Sequence, residues 1–469
     1  GGSIMFKHTS IFVVSGLGGL LVLGSVAFSG AQAGVTLTPL EELGKTIFFD
    51  ADLSVNRIQA CVDCHEPTTG HTGPDSLVNL GGAVMEGAVP DRFGNRKPPT
   101  ASYGGDSPVL DYDAAEGAWI GGMFWEGRAT GWTLDDPLAE QAQGPFLNPL
   151  EQSLPHAKQV CIRVAQSSYA GLFEAVWGSK SLDFVKDVAG TYARIAYSIA
   201  AYERSAEVNP YTSKFDLFWD NALAAGKDIT KITAAGIPGG MGGGMGGGGG
   251  MGGGGGMGGG DPQNNPARWE HYKNLGLTDT ELQGLAIFND ANRANCASCH
   301  TLTPGSDGYP VFTDFRYHNI GTPKNPENPF YAMPSKWNPD GEDWVDNGLG
   351  GFLKSAGYLP EVFEPELGKF KTPTLRNVDL RPSVDFVKAY GHNGFFKSLD
   401  GMEGILHFYA WRAMMDNVGM GPGMGPNPNL FPQPEVDQNR TVMKPFNFMM
   451  DGDKLLAFLK TLSDGYFQR

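Results

Sequence analysis

Apolar residues recur at helical spacing in four stretches of the chain, and runs that alternate with the two-residue period of a strand are few. Residues 40–49 keep the helical spacing. Over residues 183–206, Phe184, Val188, Tyr192, Ile195 and Ile199 draw one apolar stripe, which predicts a long amphipathic helix. Residues 278–289 open with Thr278 and Glu281, the spacing of a capping box, and predict a third helix. Residues 454–462 predict a closing amphipathic helix. The stretches between them are rich in Gly and Pro and predict long irregular loops, so the expected fold is mainly α.

Two of these helices carry related sequences. Leu43-Gly44-Lys45-Thr46-Ile47-Phe48-Phe49 is echoed by Gly284-Leu285-Ala286-Ile287-Phe288, and each run stands shortly ahead of a Cys-x-x-Cys-His motif. The motifs are Cys61-Val62-Asp63-Cys64-His65 and Cys296-Ala297-Ser298-Cys299-His300. Such a segment reads as c-type haem attachment. The two thiols add to the vinyl groups and the adjacent histidine reaches the iron. A zinc site would want more cysteine, or paired histidine at close spacing, and neither occurs here. The remaining cysteine, Cys161, reads as a buried small hydrophobe.

The repeat predicts two cytochrome c-like domains, residues 34–233 and 266–469, each with one covalently attached haem. Between them, residues 234–265 form an insertion that is almost pure glycine from 239 to 260, apart from Met241, Met245, Met251 and Met257. A stretch with nothing to bury predicts a flexible linker. Four thioethers could hold Cu(I), but a low-complexity loop with incidental methionines is the simpler reading. Residues 419–434 repeat the same Gly, Met and Pro bias.

Residues 1–33 predict a secretory signal: Lys7 and His8, then an apolar run over 11–28, then Ala31-Gln32-Ala33 as a small-x-small cleavage site. The expected location is therefore the periplasm or the cell surface, with no membrane span after cleavage. The formal net charge of −16 argues against nucleic acid as a partner and favours a basic redox protein.

Further segments resemble the bacterial dihaem cytochrome c peroxidases and their MauG-like relatives over nearly all of the chain after the signal. They include Phe124-Trp125-Glu126-Gly127-Arg128-Ala129, Glu140-Gln141-Ala142-Gln143-Gly144-Pro145 with Asn148-Pro149-Leu150-Glu151, and Ile199-Ala200-Ala201-Tyr202-Glu203-Arg204-Ser205. Thr372-Pro373-Thr374-Leu375-Arg376-Asn377-Val378 and Tyr390-Gly391-His392-Asn393-Gly394 complete the set. The resemblance implies that His65 is the proximal ligand of a peroxide-reactive first haem. It implies Gln141 and Glu151 as the distal pair, Pro145 as a wall of the pocket, and Trp125 as the relay between the haems. His300 is then proximal at the second haem, and Tyr409 its distal ligand, with His407 and Met414 as rivals. Arg128 and Arg376 are expected on haem propionates.

Many peroxidases of this kind cap the first iron with a histidine from the loop after the motif. Here none occurs between His71 and His156, and His71 is expected as a solvated loop residue, so the first iron should be open. The family's calcium is put in doubt. Lys97, in Arg96-Lys97-Pro98-Pro99-Thr100, stands at the position of a calcium-binding Asn, and Val387-Lys388-Ala389 replaces the second calcium segment. His318 and His392 are expected as structural hydrogen-bonding residues, and Trp269, Trp337 and Trp344 as core.

The activity implied is that of an exported MauG-like oxidoreductase. It would react with hydrogen peroxide and oxidise Trp or Tyr side chains of a partner protein through a high-valent state over both haems. The alternative is a cytochrome c peroxidase fed by a small cytochrome c or cupredoxin. A non-catalytic dihaem electron-transfer cytochrome is a third reading, against which Gln141 and Glu151 argue.

Overall fold

The structure, a computed structural model, describes residues 35–233, 265–418 and 431–469. The signal-like leader, nearly all of the Gly/Met insertion and most of the second Gly/Met/Pro patch lie outside the described residues. Residues Leu37–Arg469 form one compact unit. Among the described residues it holds twelve α-helices and two short antiparallel pairs, Asp111–Asp113 with Ala118–Ile120 and Tyr317–His318 with Phe370–Lys371.

The repeated sequence marks a repeated packing device. Helix Pro39–Phe48 packs on helix Val188–Glu203, and helix Asp279–Asn289 packs on helix Phe448–Lys460. A Cβ built on Gly44 would stand 1.8 Å from the carbonyl oxygen of Ser198, and one on Gly284 would stand 2.0 Å from that of Lys454. Backbone cannot yield to such a contact, so both crossings need glycine. Both helices also open with a Thr-x-x-Glu capping box: Glu41 Oε2 accepts from Thr38 N at 2.7 Å, and Glu281 Oε2 accepts from Thr278 N at 2.7 Å. Only the second box was expected from the pattern.

Helix Val188–Glu203 starts later than the apolar stripe suggests. Asp187 accepts a hydrogen bond from Gly190 N at 2.7 Å and caps the helix there, leaving Phe184 in the turn before it. The closing helix starts earlier than expected, at Phe448.

Two large apolar cores result. The first gathers Leu43, Phe48, Phe146, Ile195, Ile199 and Tyr202, with Cys161 fully buried among them. The second gathers Phe215, Phe218, Leu285, Phe288, Phe312 and Phe458. The expected division at residue 233 does not coincide with the division between cores. Helix Lys214–Ala224 turns Phe215, Phe218, Trp219 and Ala222 into the second core, where Phe215 packs edge-on against Phe312 at 5.0 Å. Trp269 is buried in that core, whereas Trp337 lies half-buried beneath the cations of Arg92 and Lys336, and Trp344 half-buried against Phe330.

Candidate functional site

Each Cys-x-x-Cys-His motif opens with one short 3-10 turn, Cys61–Asp63 in the first and Cys296–Ser298 in the second. That turn brings both thiols and the histidine to the wall of a single cavity. The first cavity is about 440 Å³ and is lined by Cys61, Cys64 and His65. The second is about 250 Å³ and is lined by Cys296, Cys299 and His300. All four thiols are free, so neither motif forms a disulfide.

His65 Nδ1 hydrogen-bonds the carbonyl of His71 at 3.1 Å, and His300 Nδ1 that of Phe312 at 2.9 Å. A carbonyl partner makes Nδ1 the donor and leaves Nε2 as a free lone pair, the arrangement of a metal-binding imidazole. Burial lowers the His65 pKa to about 4, so the ring is neutral at physiological pH. His71 is itself buried, at 6% exposure, rather than a solvated loop residue. The turn Pro67–Thr69 and a left-handed backbone at His71 carry its carbonyl back onto His65.

The first cavity also receives Gln141, Pro145 and Glu151. Gln141 and Pro145 stand one turn apart on helix Pro137–Leu147, and Glu151 follows four residues after the helix ends. Asn148 Nδ2 donates to Glu151 Oε1 at 2.8 Å. Burial raises the Glu151 pKa against the pull of Arg128 and Asn148. Arg128 lines the same cavity, pairs with Glu126 and lies over the Phe124 ring at 3.5 Å.

The second cavity receives Arg376 and Tyr409. Arg376 is fully buried, pairs with Asp216 at 2.7 Å, and donates from Nε to Pro310 O at 2.8 Å. Its Nη2 is buried without a protein partner, an orphaned donor that fits a haem propionate. Tyr409 stands on helix Ile405–Val418. Of its rivals, His407 binds Met402 O at 2.6 Å and packs on Phe431 and Phe448, and Met414 is 40% exposed. Neither lines the cavity. Burial, with Cys299 and Cys296 nearby, pushes the Tyr409 hydroxyl well up.

Trp125 lines both cavities, and so does Lys97. Trp125 Nε1 donates to Lys97 O at 2.8 Å, which fixes the indole plane. Next to it, Arg96 grips Asp346 with two hydrogen bonds of 2.6 and 2.7 Å and also pairs with Glu126.

Two ammonium groups sit where the calcium segments were expected. Lys97 Nζ donates to Thr72 Oγ1 at 2.8 Å and Pro98 O at 3.0 Å. Lys388 Nζ donates to the carbonyls of Thr69, Asn377 and Leu380 at 2.8, 2.6 and 3.0 Å. These oxygens already have lysine donors, and burial lowers the pKa of both amines.

Several residues were not legible as site residues. Glu203 lines the first cavity with Oε2 buried and unpartnered, and burial raises its pKa to about 8. Met443 lines the second cavity from a loop without periodicity. His392 lines it too, stacked on Phe370 at 3.5 Å; its carbonyl accepts from Lys97 N at 2.9 Å and its Nε2 has no protein partner. His318 is paired to Asp314 at 2.9 Å, and its pKa lies near 10.

Residues 38–223 match the family model described as di-haem cytochrome c peroxidase. The chain is 29% identical to the methylamine utilization protein MauG of Paracoccus denitrificans, over 96% of this chain and 95% of that protein. It is 22% identical to the cytochrome-c peroxidase IdrP1 of Denitromonas iodatirespirans, over 90% of this chain and 80% of the relative. Among solved structures, the diheme peroxidase BthA of Burkholderia thailandensis superposes with a TM-score of 0.61 at 25% identity, over 93% of this chain and 88% of that one.

Proposed function

We propose that the chain, similar to MauG over nearly its whole length and to the di-haem cytochrome c peroxidase model over residues 38–223, is an exported oxidase of that peroxide-dependent family. It uses hydrogen peroxide to oxidise Trp or Tyr side chains of a partner protein. Two c-type haems supply the electron chemistry, held by Cys61, Cys64 and His65 in the first cavity and by Cys296, Cys299 and His300 in the second.

The chain's own groups then divide the work. Glu151 Oε1 is held by Asn148, which leaves Oε2 to take a proton from one peroxide oxygen and return it to the other. Burial raises its pKa, which makes the carboxylate a stronger base for the first step. The Gln141 amide holds the peroxide by hydrogen bonds, and Pro145 adds a wall with no donor to compete. Trp125 stands between the two cavities, where an aromatic ring can pass an electron. Export is supported by the leader, and no helix of the described residues is long and apolar enough to cross a membrane.

The observation that carries the choice of oxidase is Tyr409 on the wall of the second cavity. A phenol oxygen is a hard ligand that stabilises oxidised iron, whereas a thioether would favour the reduced state of an electron-storing haem. Met443 on the same wall favours the second reading, a cytochrome c peroxidase fed by a small electron-carrier protein. Addition of peroxide to the fully oxidised holoprotein separates them. Immediate change at both haems, with absorption in the near infrared, supports the oxidase. Reaction only after partial reduction supports the peroxidase.

A further inference from the structure

We propose that Tyr103, Tyr211 and Tyr309 form an electron path from the second cavity to the protein surface, with an aspartate taking the proton at each step. The proposal rests on the peroxide chemistry above, which supplies the oxidant.

The three rings form a continuous row. Tyr103 and Tyr211 meet edge to face at 5.0 Å, and Tyr211 and Tyr309 stack at 5.0 Å with an interplanar angle of 27°. At the inner end, the Arg376 guanidinium lies 5.4 Å from the Tyr103 ring and 5.0 Å from Tyr211, and Arg376 lines the second cavity. Tyr103 is 3% exposed, Tyr211 7%, and Tyr309 half-buried at the surface beside the exposed Asp307. Arg376 therefore joins the cavity wall to Tyr103 and Tyr211, and Tyr309 carries the row to the surface.

Each phenol has its own carboxylate. Tyr103 donates to Asp464 at 2.7 Å, Tyr211 to Asp307 at 3.3 Å, and Tyr309 to Asp220 at 2.7 Å. Phenylalanine would pack such a cluster without three hydroxyls to satisfy. Arg376 and Arg469 lie over the rings, Arg469 at 4.6 Å from Tyr309. A cation over a ring opposes a positive charge on it, so loss of an electron must go with loss of the phenolic proton. The paired aspartate is placed to accept that proton.

The step balances in atoms and charge. Tyr103 gives one electron to the oxidising equivalent held at the second cavity, and its O–H proton passes to Asp464, leaving a neutral phenoxyl and a carboxylic acid. Tyr211 then supplies an electron and loses its proton to Asp307, while Tyr103 takes its proton back. Tyr309 and Asp220 repeat the exchange. An external one-electron donor at the surface refills Tyr309, which recovers its proton from Asp220.

The test treats the oxidised holoprotein with peroxide and no donor, in the presence of a nitroso spin trap, and locates the adduct by mass spectrometry. Wild type should carry the adduct on Tyr309. Tyr211→Phe keeps the stack but loses the hydroxyl, and should lose that adduct while peroxide still changes the first haem's absorption. Tyr112→Phe, an exposed position off the row, should change nothing. Tyr309→Phe should slow re-reduction by ferrocyanide. Equal labelling of Tyr309 in wild type and Tyr211→Phe would overturn the path, as would consumed peroxide with no label on any of the three. A wild-type haem spectrum that does not respond to peroxide would instead overturn the reading on which the path rests.

Discussion

Arg96→Met should destabilise the protein by about 3 kcal/mol at neutral pH, the low end of what breaking a buried ion pair removes. Arg96 serves two carboxylates in a nearly dry setting, with side-chain exposures of 13% for Arg96, 5% for Glu126 and 2% for Asp346. Without it, Asp346 retains only weaker support, such as the hydrogen bond from Gly348 N at 3.0 Å. Glu126 retains Arg128, which is why the low end applies. The pH dependence follows from the same groups. Coulombic contact with Arg96 holds both carboxyls below their ordinary values against the effect of burial. Depressed carboxyl pKa values contribute stability that is present above the ordinary carboxylate range and lost as pH falls through the folded values. In the variant both groups lose that support and protonate more readily. The difference between the proteins should therefore be full at pH 7 and shrink toward pH 4. Urea unfolding of the holoproteins followed by circular dichroism measures it. A difference below about 1 kcal/mol at pH 7, the scale of a surface pair, or one independent of pH, would refute the reasoning.

Glu151→Gln should slow the reaction with peroxide by about 10² to 10⁴, the usual range for a lost general acid–base, with the resting haem spectra unchanged in stopped-flow absorption. The rate should also lose its acid limb, since burial raises the Glu151 pKa and the carboxyl acts as a base only when ionised. Tyr409→Phe should alter the visible and electron paramagnetic resonance spectra of the second haem alone; unchanged spectra would sink the ligand assignment. Exhaustive chelation should leave peroxide turnover and melting temperature unchanged, because Lys97 and Lys388 already satisfy the oxygens near the haem cavities. Lys388→Met should cost about 1–3 kcal/mol by leaving the carbonyls of Thr69 and Leu380 without their donor, while Asn377 O keeps its bond from Leu380 N, read as a lower urea midpoint.

Much of this site is written locally. A thiol pair and a histidine within five residues need only one tight turn to reach a common cavity, so both groupings were legible as spacing. Gln141 and Pro145 are one helical turn apart, and Glu151 follows closely, so the distal group was legible once the segment was recognised. The choice among Tyr409, His407 and Met414 was not, because all three ride on one helix and only its packing decides which residue meets the cavity. Glu203 and Met443 carry no local signal, and the tyrosine row draws Tyr103, Tyr211 and Tyr309 from stretches about a hundred residues apart.

By itself, then, the sequence determined two Cys-x-x-Cys-His turns, a mainly helical chain and a repeated Gly-bearing helix, since each depends on neighbours within a few residues. The tertiary structure decided that Trp125 stands between the two cavities, that Lys97 and Lys388 donate to the oxygens beside them, and that helix Lys214–Ala224 joins the second core. The physical reason is burial. A ring, an ammonium or an apolar helix face acquires its role only when distant segments close over it, and no periodicity along the chain records which ones will.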